Sequence, residues 1–214
     1  MNMNPSFQPV SKPASGAGTK DRILEAARTE FAQYGQAGAR VDRIARRAGV
    51  NKAMIYYHFH SKEDLHREVV GEFFRRMIGR VQAQASEFGT LEQVFRAIAD
   101  THIHMCLSEP ELVRIVLREL ADPRTEALDQ MTSVLITSGL PTSVAKTMET
   151  AMARGDLRTV DVRQTMVSFL TMSLGYFIMA PVLERVWGIT DRGTFLDERK
   201  DAMVDLLMNG LKAR

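Results

Sequence analysis

The sequence predicts an all-α protein. It reads as an N-terminal three-helix head carrying a helix-turn-helix, followed by a C-terminal helical bundle, about nine to ten helices in all. Three observations carry this. Apolar residues recur at helical spacing over long stretches, without the β-branched alternation that marks strands. Glycines, prolines and capping residues interrupt those stretches at short intervals, as in a compact bundle. Residues 19–65 place two short helical segments on either side of a glycine corner.

The head can be justified element by element. Residues 19–31 form the first helix, and a Gly-rich corner follows. From Val41 to Ala48 the apolar residues are Val41, Ile44, Ala45 and Ala48, the i, i+3, i+4, i+7 pattern of one buried helix face. Gly49 stands where a helix C-cap needs a positive φ, which glycine adopts without steric cost. Val50 can plug the corner, and Asn51 is a good N-cap for the next helix. That helix is expected to hold to the head through Met54, Ile55 and Phe59. Ser61, with Asp64 three residues on, comes close to a capping box and starts another helix at Lys62.

Beyond Leu65 the chain continues as helices. The one begun at Lys62 is broken by Gly89, and Thr90 caps the next, 91–107. Pro110 opens 110–121 from a first-turn position, and Asp122-Pro123 ends it. A helix over 124–137 ends at Gly139, and Pro141 opens 141–154. Asp161 caps a long helix reaching about Pro181, with a kinked extension toward Trp187, and the last helix spans 197–211. Residues 1–18, rich in Pro, Ser, Gly and Asn, read as a disordered tail without the apolar segment of a signal peptide. The domain boundaries are therefore 1–18, 19–65 and 66–214.

The head resembles the N-terminal DNA-binding domain of the TetR family of bacterial transcriptional regulators. The matching pieces are Ile23-Leu24-Glu25-Ala26-Ala27 with Phe31 and Gly35, Ile44-Ala45 with Ala48-Gly49-Val50, Ile55-Tyr56-Tyr57-His58-Phe59, and Lys62-Glu63-Asp64-Leu65. One departure is Met54, where the family often has a small or hydroxylated residue. It bears on base preference rather than on fold. The resemblance implies a ligand-responsive regulator, most often a repressor, that dimerises through its last two long helices. It would then present two recognition helices to successive turns of double-stranded operator DNA.

Charge fits a head that meets phosphate. Residues 1–80 carry 14 Lys and Arg against 8 Asp and Glu, and the remainder carries 14 against 18. Lys52, in the first turn of the recognition helix, can reach guanine edges or a phosphate. Ala53 is small enough to let the helix sit deep and touch a thymine methyl. Tyr57 is expected to meet bases or sugars, and Tyr56 also has packing in the head as an alternative. Tyr56 and His58 resemble family positions that bond phosphates. Lys62 and the free N–H groups of its helix start can hold one phosphate. Arg40 and Arg43 flank the start of the preceding helix, within reach of a phosphate or groove-edge base.

The body is expected to bind a small apolar effector. Thirteen methionines is a high count, and most follow residue 76. Met adapts to varied ligand shapes, although it also serves as ordinary core filler. His102 falls on an apolar helix face with Met105 and Cys106, where a polar group must find a partner. The expected pocket residues are His102, Met105, Cys106, Met131, Met148, Met152, Phe169 and Ser173. The pocket is expected among the helices 91–107, 110–121, 124–154 and 161–180. His102 and Cys106, spaced i, i+4, could share a metal, but with no second cysteine no metal is expected. No cofactor is expected either.

Residues 164–183 carry no charge, and the run could pass for a membrane span. Interspersed Thr, Ser and Gly favour a helix buried on all sides instead, with a second subunit completing the cover. The expected homodimer interface comprises Phe177, Ile178, Met203, Leu207, Gly210 and Leu211. No membrane partner is expected, and a single cysteine suits a reducing cytoplasm. An enzyme is not expected, because the chain has no Gly-rich phosphate loop, paired-His motif or nucleophile elbow.

Overall fold

A computed structural model of the chain describes residues 18–85, 90–121 and 125–213. Among the described residues there are ten α-helices and one isolated β-bridge, between Leu157 and Lys212. They separate into two compact units that divide between His66 and Arg67. Residues 1–17 of the expected tail, the break at Gly89 and the break at Asp122-Pro123 lie outside the described residues, and Gly18 is the N-cap of the first helix.

Unit one holds α1 (Thr19–Gly38), α2 (Val41–Ala48), α3 (Lys52–Phe59) and the start of α4 (Lys62–Ala85). Its core is Ile23, Ala27, Phe31, Ile44, Ile55 and Leu65, all inaccessible to water. The corner forms as the residues require. Gly49 sits at φ 64° and ψ 39°, and the Val50 N–H donates to the Ala45 carbonyl at 3.0 Å. Asn51 Oδ1 accepts from the Ala53 N–H at 3.0 Å. Ser61 Oγ accepts from the Asp64 N–H and donates to its carboxylate at 2.7 Å. The first helix outruns its expected end at Phe31: it continues to Gly38, with Gly35 at φ 68° marking a kink.

Unit two holds the rest of α4, then α5 (Leu91–Ser108), α6 (Pro110–Ala121), α7 (Glu126–Thr137) and α8 (Leu140–Ala153). It ends in α9 (Val162–Val186) and α10 (Arg192–Leu211). One core cluster centres on Phe95 and Phe169, whose ring centroids are 4.7 Å apart, with Val81, Met148, Val204 and Leu211 around them. A smaller cluster joins Tyr176, Ala180 and Leu196.

Two helix limits differ from expectation. α9 passes through Pro181 as one helix. Proline deletes one ladder hydrogen bond there, but Tyr176 Oη donates to Glu184 Oε1 at 2.8 Å and bridges the same turns. α10 starts at Arg192, five residues before the expected start. Asp191 caps it, accepting from the Thr194 N–H at 3.1 Å and the Thr194 hydroxyl at 2.8 Å.

α9 is also less covered than expected. Within one chain, Val167, Leu170, Leu174, Ile178, Val182 and Val186 stay exposed along it. α9 is long and apolar enough to cross a membrane by length and composition.

Candidate nucleic-acid interface and apolar cavity

The recognition helix α3 divides cleanly. Ile55 and Phe59 point into the core of unit one and anchor the helix. Lys52, Ala53, Tyr56 and Tyr57 stand on its exposed side, with Tyr57 at 75% exposure. Met54, expected to be an anchor, is exposed instead. It belongs to the outer side, since the i, i+4 pair Ile55 and Phe59 already supplies the whole inner stripe of this two-turn helix.

The cations of the head are not equally free. Lys52 Nζ lies 3.0 Å from Asp42 Oδ1, an exposed pair that raises the pKa of the ammonium. Such a pair exchanges readily for a stronger anion such as phosphate. Arg43, expected at DNA, is different: its guanidinium is engaged within the head. Its Nε donates to Glu30 Oε1 at 2.6 Å, its Nη2 donates to the Gly38 carbonyl at 3.0 Å, and its guanidinium stacks on Tyr34 at 4.1 Å. Glu30 is buried, so its charge needs that partner. The Arg40 N–H also donates to Glu30 Oε1, at 2.9 Å, while the Arg40 side chain remains exposed.

Two further expected phosphate contacts are partly committed. Lys62 is half-buried, with Nζ 3.4 Å from the Ala37 carbonyl and 3.5 Å from that of Ala39. His58 is half-buried and edge-on to Tyr57, and its Nε2 is buried without a hydrogen-bond partner among the described residues.

Unit two contains a cavity of about 240 Å³ walled by α4, α5, α6, α7 and α9. His102, Met105, Cys106 and Met131 line it. So do Phe73, Phe74 and Met77 from α4, which the sequence reading did not place there. Val116, Leu117 and Leu120 supply the wall from α6. Met148, Met152 and Phe169, expected on the wall, pack instead into the cluster around Phe95. α8 therefore supports the core rather than the cavity. Phe177 and Ile178, expected at a subunit interface, line the cavity, and Ile178 also stays exposed on the α9 stripe. Met203 and Leu211, expected there too, are buried in this chain's own core and have no face left to offer. Leu207 packs partly against the same core, and Gly210 is exposed.

His102 is the polar feature of the cavity. It is 4% exposed, and its Nδ1 lies 2.8 Å from Ser173 Oγ. Burial holds its pKa down to about 4, so the imidazole is neutral at pH 7. Burial likewise pushes the Cys106 thiol up to about 12, so it stays protonated. No group of three or more His, Cys, Asp or Glu able to hold a metal occurs among the described residues.

Known proteins bear on both units. Residues 23–69 match the family described as bacterial regulatory proteins, tetR family. The transcriptional regulator RutR of Escherichia coli K12 is 24% identical over 196 residues, 91% of either chain. The transcriptional repressor SCO4008 of Streptomyces coelicolor is 36% identical over 101 residues, 47% of this chain and 49% of that one. Among solved structures, the regulator FadR from Bacillus subtilis in complex with stearoyl-CoA shares the fold. Its TM-score is 0.71 at 20% identity, over 89% of this chain and 98% of that one.

Proposed function

Because this chain belongs to the TetR family of bacterial transcriptional regulators, we propose that it is a cytoplasmic, homodimeric repressor released from its operator by a small apolar molecule. The observation that carries the DNA-binding half is the split of α3, which buries Ile55 and Phe59 and leaves Lys52, Ala53, Tyr56 and Tyr57 outward. Lys52 and the two tyrosines meet bases and the nearby backbone, and Arg40 meets phosphate. Arg43 holds the head together.

The dimer reading rests on the exposed apolar stripe of α9, continued on α10 by Leu206. A stripe of this length is what an isologous interface covers. The effector reading rests on the apolar cavity of unit two. FadR in complex with stearoyl-CoA, a protein of the same fold, supports a ligand-holding body. The effector would favour a conformation of the dimer with lower operator affinity, and the loss equals its differential affinity for the two states.

The test is a DNA titration with a duplex from the intergenic region upstream of the gene, set against an unrelated duplex of equal length. The reading requires much tighter binding to the first at the same salt. Equal binding to both would instead describe a non-specific DNA coat protein.

A further inference from the structure

We propose that the cavity of unit two takes a small uncharged molecule, apolar except for one hydroxyl or carbonyl group, and that His102 is the residue recognising that group. This rests on the effector reading above and narrows it to a ligand class.

The wall decides the charge. Apart from His102 and Cys106, every side chain lining the cavity is Phe, Met, Val, Leu or Ile. No cation is among them. A carboxylate or phosphate entering here would lose its water and gain no counter-charge, which strongly disfavours binding. The imidazole, neutral in the empty cavity, could supply that charge only by taking up a proton against its burial. Burial keeps the Cys106 thiol protonated, the form in which it is a weak nucleophile.

His102 decides the polar group. Its ring is held through Nδ1 by Ser173 at 2.8 Å, and Nε2 has no hydrogen-bond partner among the described residues. A ring nitrogen without a protein partner on an apolar cavity wall gains a hydrogen bond when a polar group of the ligand meets it. If Nδ1 accepts from the Ser173 hydroxyl, Nε2–H donates to the ligand; if Nδ1–H donates, Nε2 accepts. A ligand hydroxyl satisfies either tautomer, and a carbonyl satisfies the first.

The volume decides the size. An apolar cavity of about 150 Å³ holds benzene, and drug-sized ligands occupy about 300–1,000 Å³. At about 240 Å³, this one suits a molecule of roughly ten non-hydrogen atoms, scaled from benzene.

The experiment uses two matched sets of probes on the full-length protein: naphthol, naphthalene and naphthoate; octanol, octane and octanoate. Binding is measured by calorimetry and thermal shift at pH 7. At least one alcohol is expected to bind, with its hydrocarbon about tenfold weaker for want of one hydrogen bond and its carboxylate without detectable binding. His102→Leu should bring the alcohol down to the level of the hydrocarbon. A carboxylate binding as tightly as its alcohol overturns the proposal. So does failure of both sets, or a His102→Leu variant that keeps the alcohol preference. The wild-type ranking decides even if that variant does not fold. Operator affinity measured on the same samples separates the two readings. An alcohol that binds without weakening operator binding leaves the ligand class standing and removes the effector role. A charged compound that releases the operator does the reverse.

Discussion

Acid should destabilise this protein through His102, and the size of the effect follows from the structure. The unfolded imidazole takes up its proton near pH 6.5, while the folded one, buried against Ser173, does so only near pH 4. Between those values the unfolded chain binds more protons, so stability rises with pH across this window. His102's contribution is complete above pH 6.5 and is lost as the pH falls toward 4. The full gap corresponds to about 3 kcal/mol, and about 2 kcal/mol of it should be gone by pH 5. The comparison is urea denaturation at pH 7 and pH 5, followed by circular dichroism at fixed protein concentration, for wild type and His102→Gln. Glutamine can still meet Ser173 but does not titrate. Wild type should lose about 2 kcal/mol more than the variant between the two conditions. Equal losses would mean that His102 is solvated or already charged in the folded protein, and the cavity wall would have to be redrawn.

Other predictions concern the head and the α9 stripe. Lys52→Ala should weaken operator binding by about tenfold to a hundredfold at unchanged melting temperature; unaltered affinity at fixed salt removes Lys52 from the contacts. Asp42→Asn, which frees Lys52 from its 3.0 Å partner, should tighten binding to unrelated DNA and steepen its salt dependence; a flat response would show the pair has no bearing on DNA. Arg43→Ala should lower the melting temperature by several degrees, because Glu30 stays buried without its guanidinium; a fully stable variant that merely loses DNA affinity would return Arg43 to the interface. Val182→Glu puts a charge in the α9 stripe away from the cavity and should yield monomer or aggregate by light scattering; a wild-type protein that is already monomeric at micromolar concentration refutes the dimer.

The head was legible in the sequence because its signals are local. Gly49, Asn51 and Ser61 each act within a few residues on their own backbone, and Val41, Ile44, Ala45 and Ala48 report one helix face. The Glu30–Arg43 pair was not legible, since its partners stand on different helices and only the fold turns one toward the other. Arg43 and Arg40 look alike as sequence. The cavity shows the same limit. Met148, Met152 and Phe169 have the composition of a pocket wall, yet Met148 and Phe169 lie in the core cluster and Met152 packs against it, while Phe73, Phe74 and Met77 look like core and line the void. Apolar periodicity gives the inward face of a helix and says nothing of whether its neighbours close the gap. Two of the expected interface residues are accounted for in a related way. Met203 and Leu211 are apolar because this chain's own core needs them, and the unclaimed stripe on α9 is visible only once that core is packed.

The central claim is that operator binding by unit one and ligand binding in unit two are coupled in one protein. Its most direct test is a reciprocal titration. The dissociation constant for the upstream intergenic duplex is measured by fluorescence anisotropy, with and without saturating naphthol or octanol, whichever gives the larger thermal shift. The constant for that same compound is then measured with and without saturating duplex. Linkage requires both constants to worsen by the same factor, about 5-fold to 150-fold for a typical coupling. Two constants indifferent to the other partner would contradict the account.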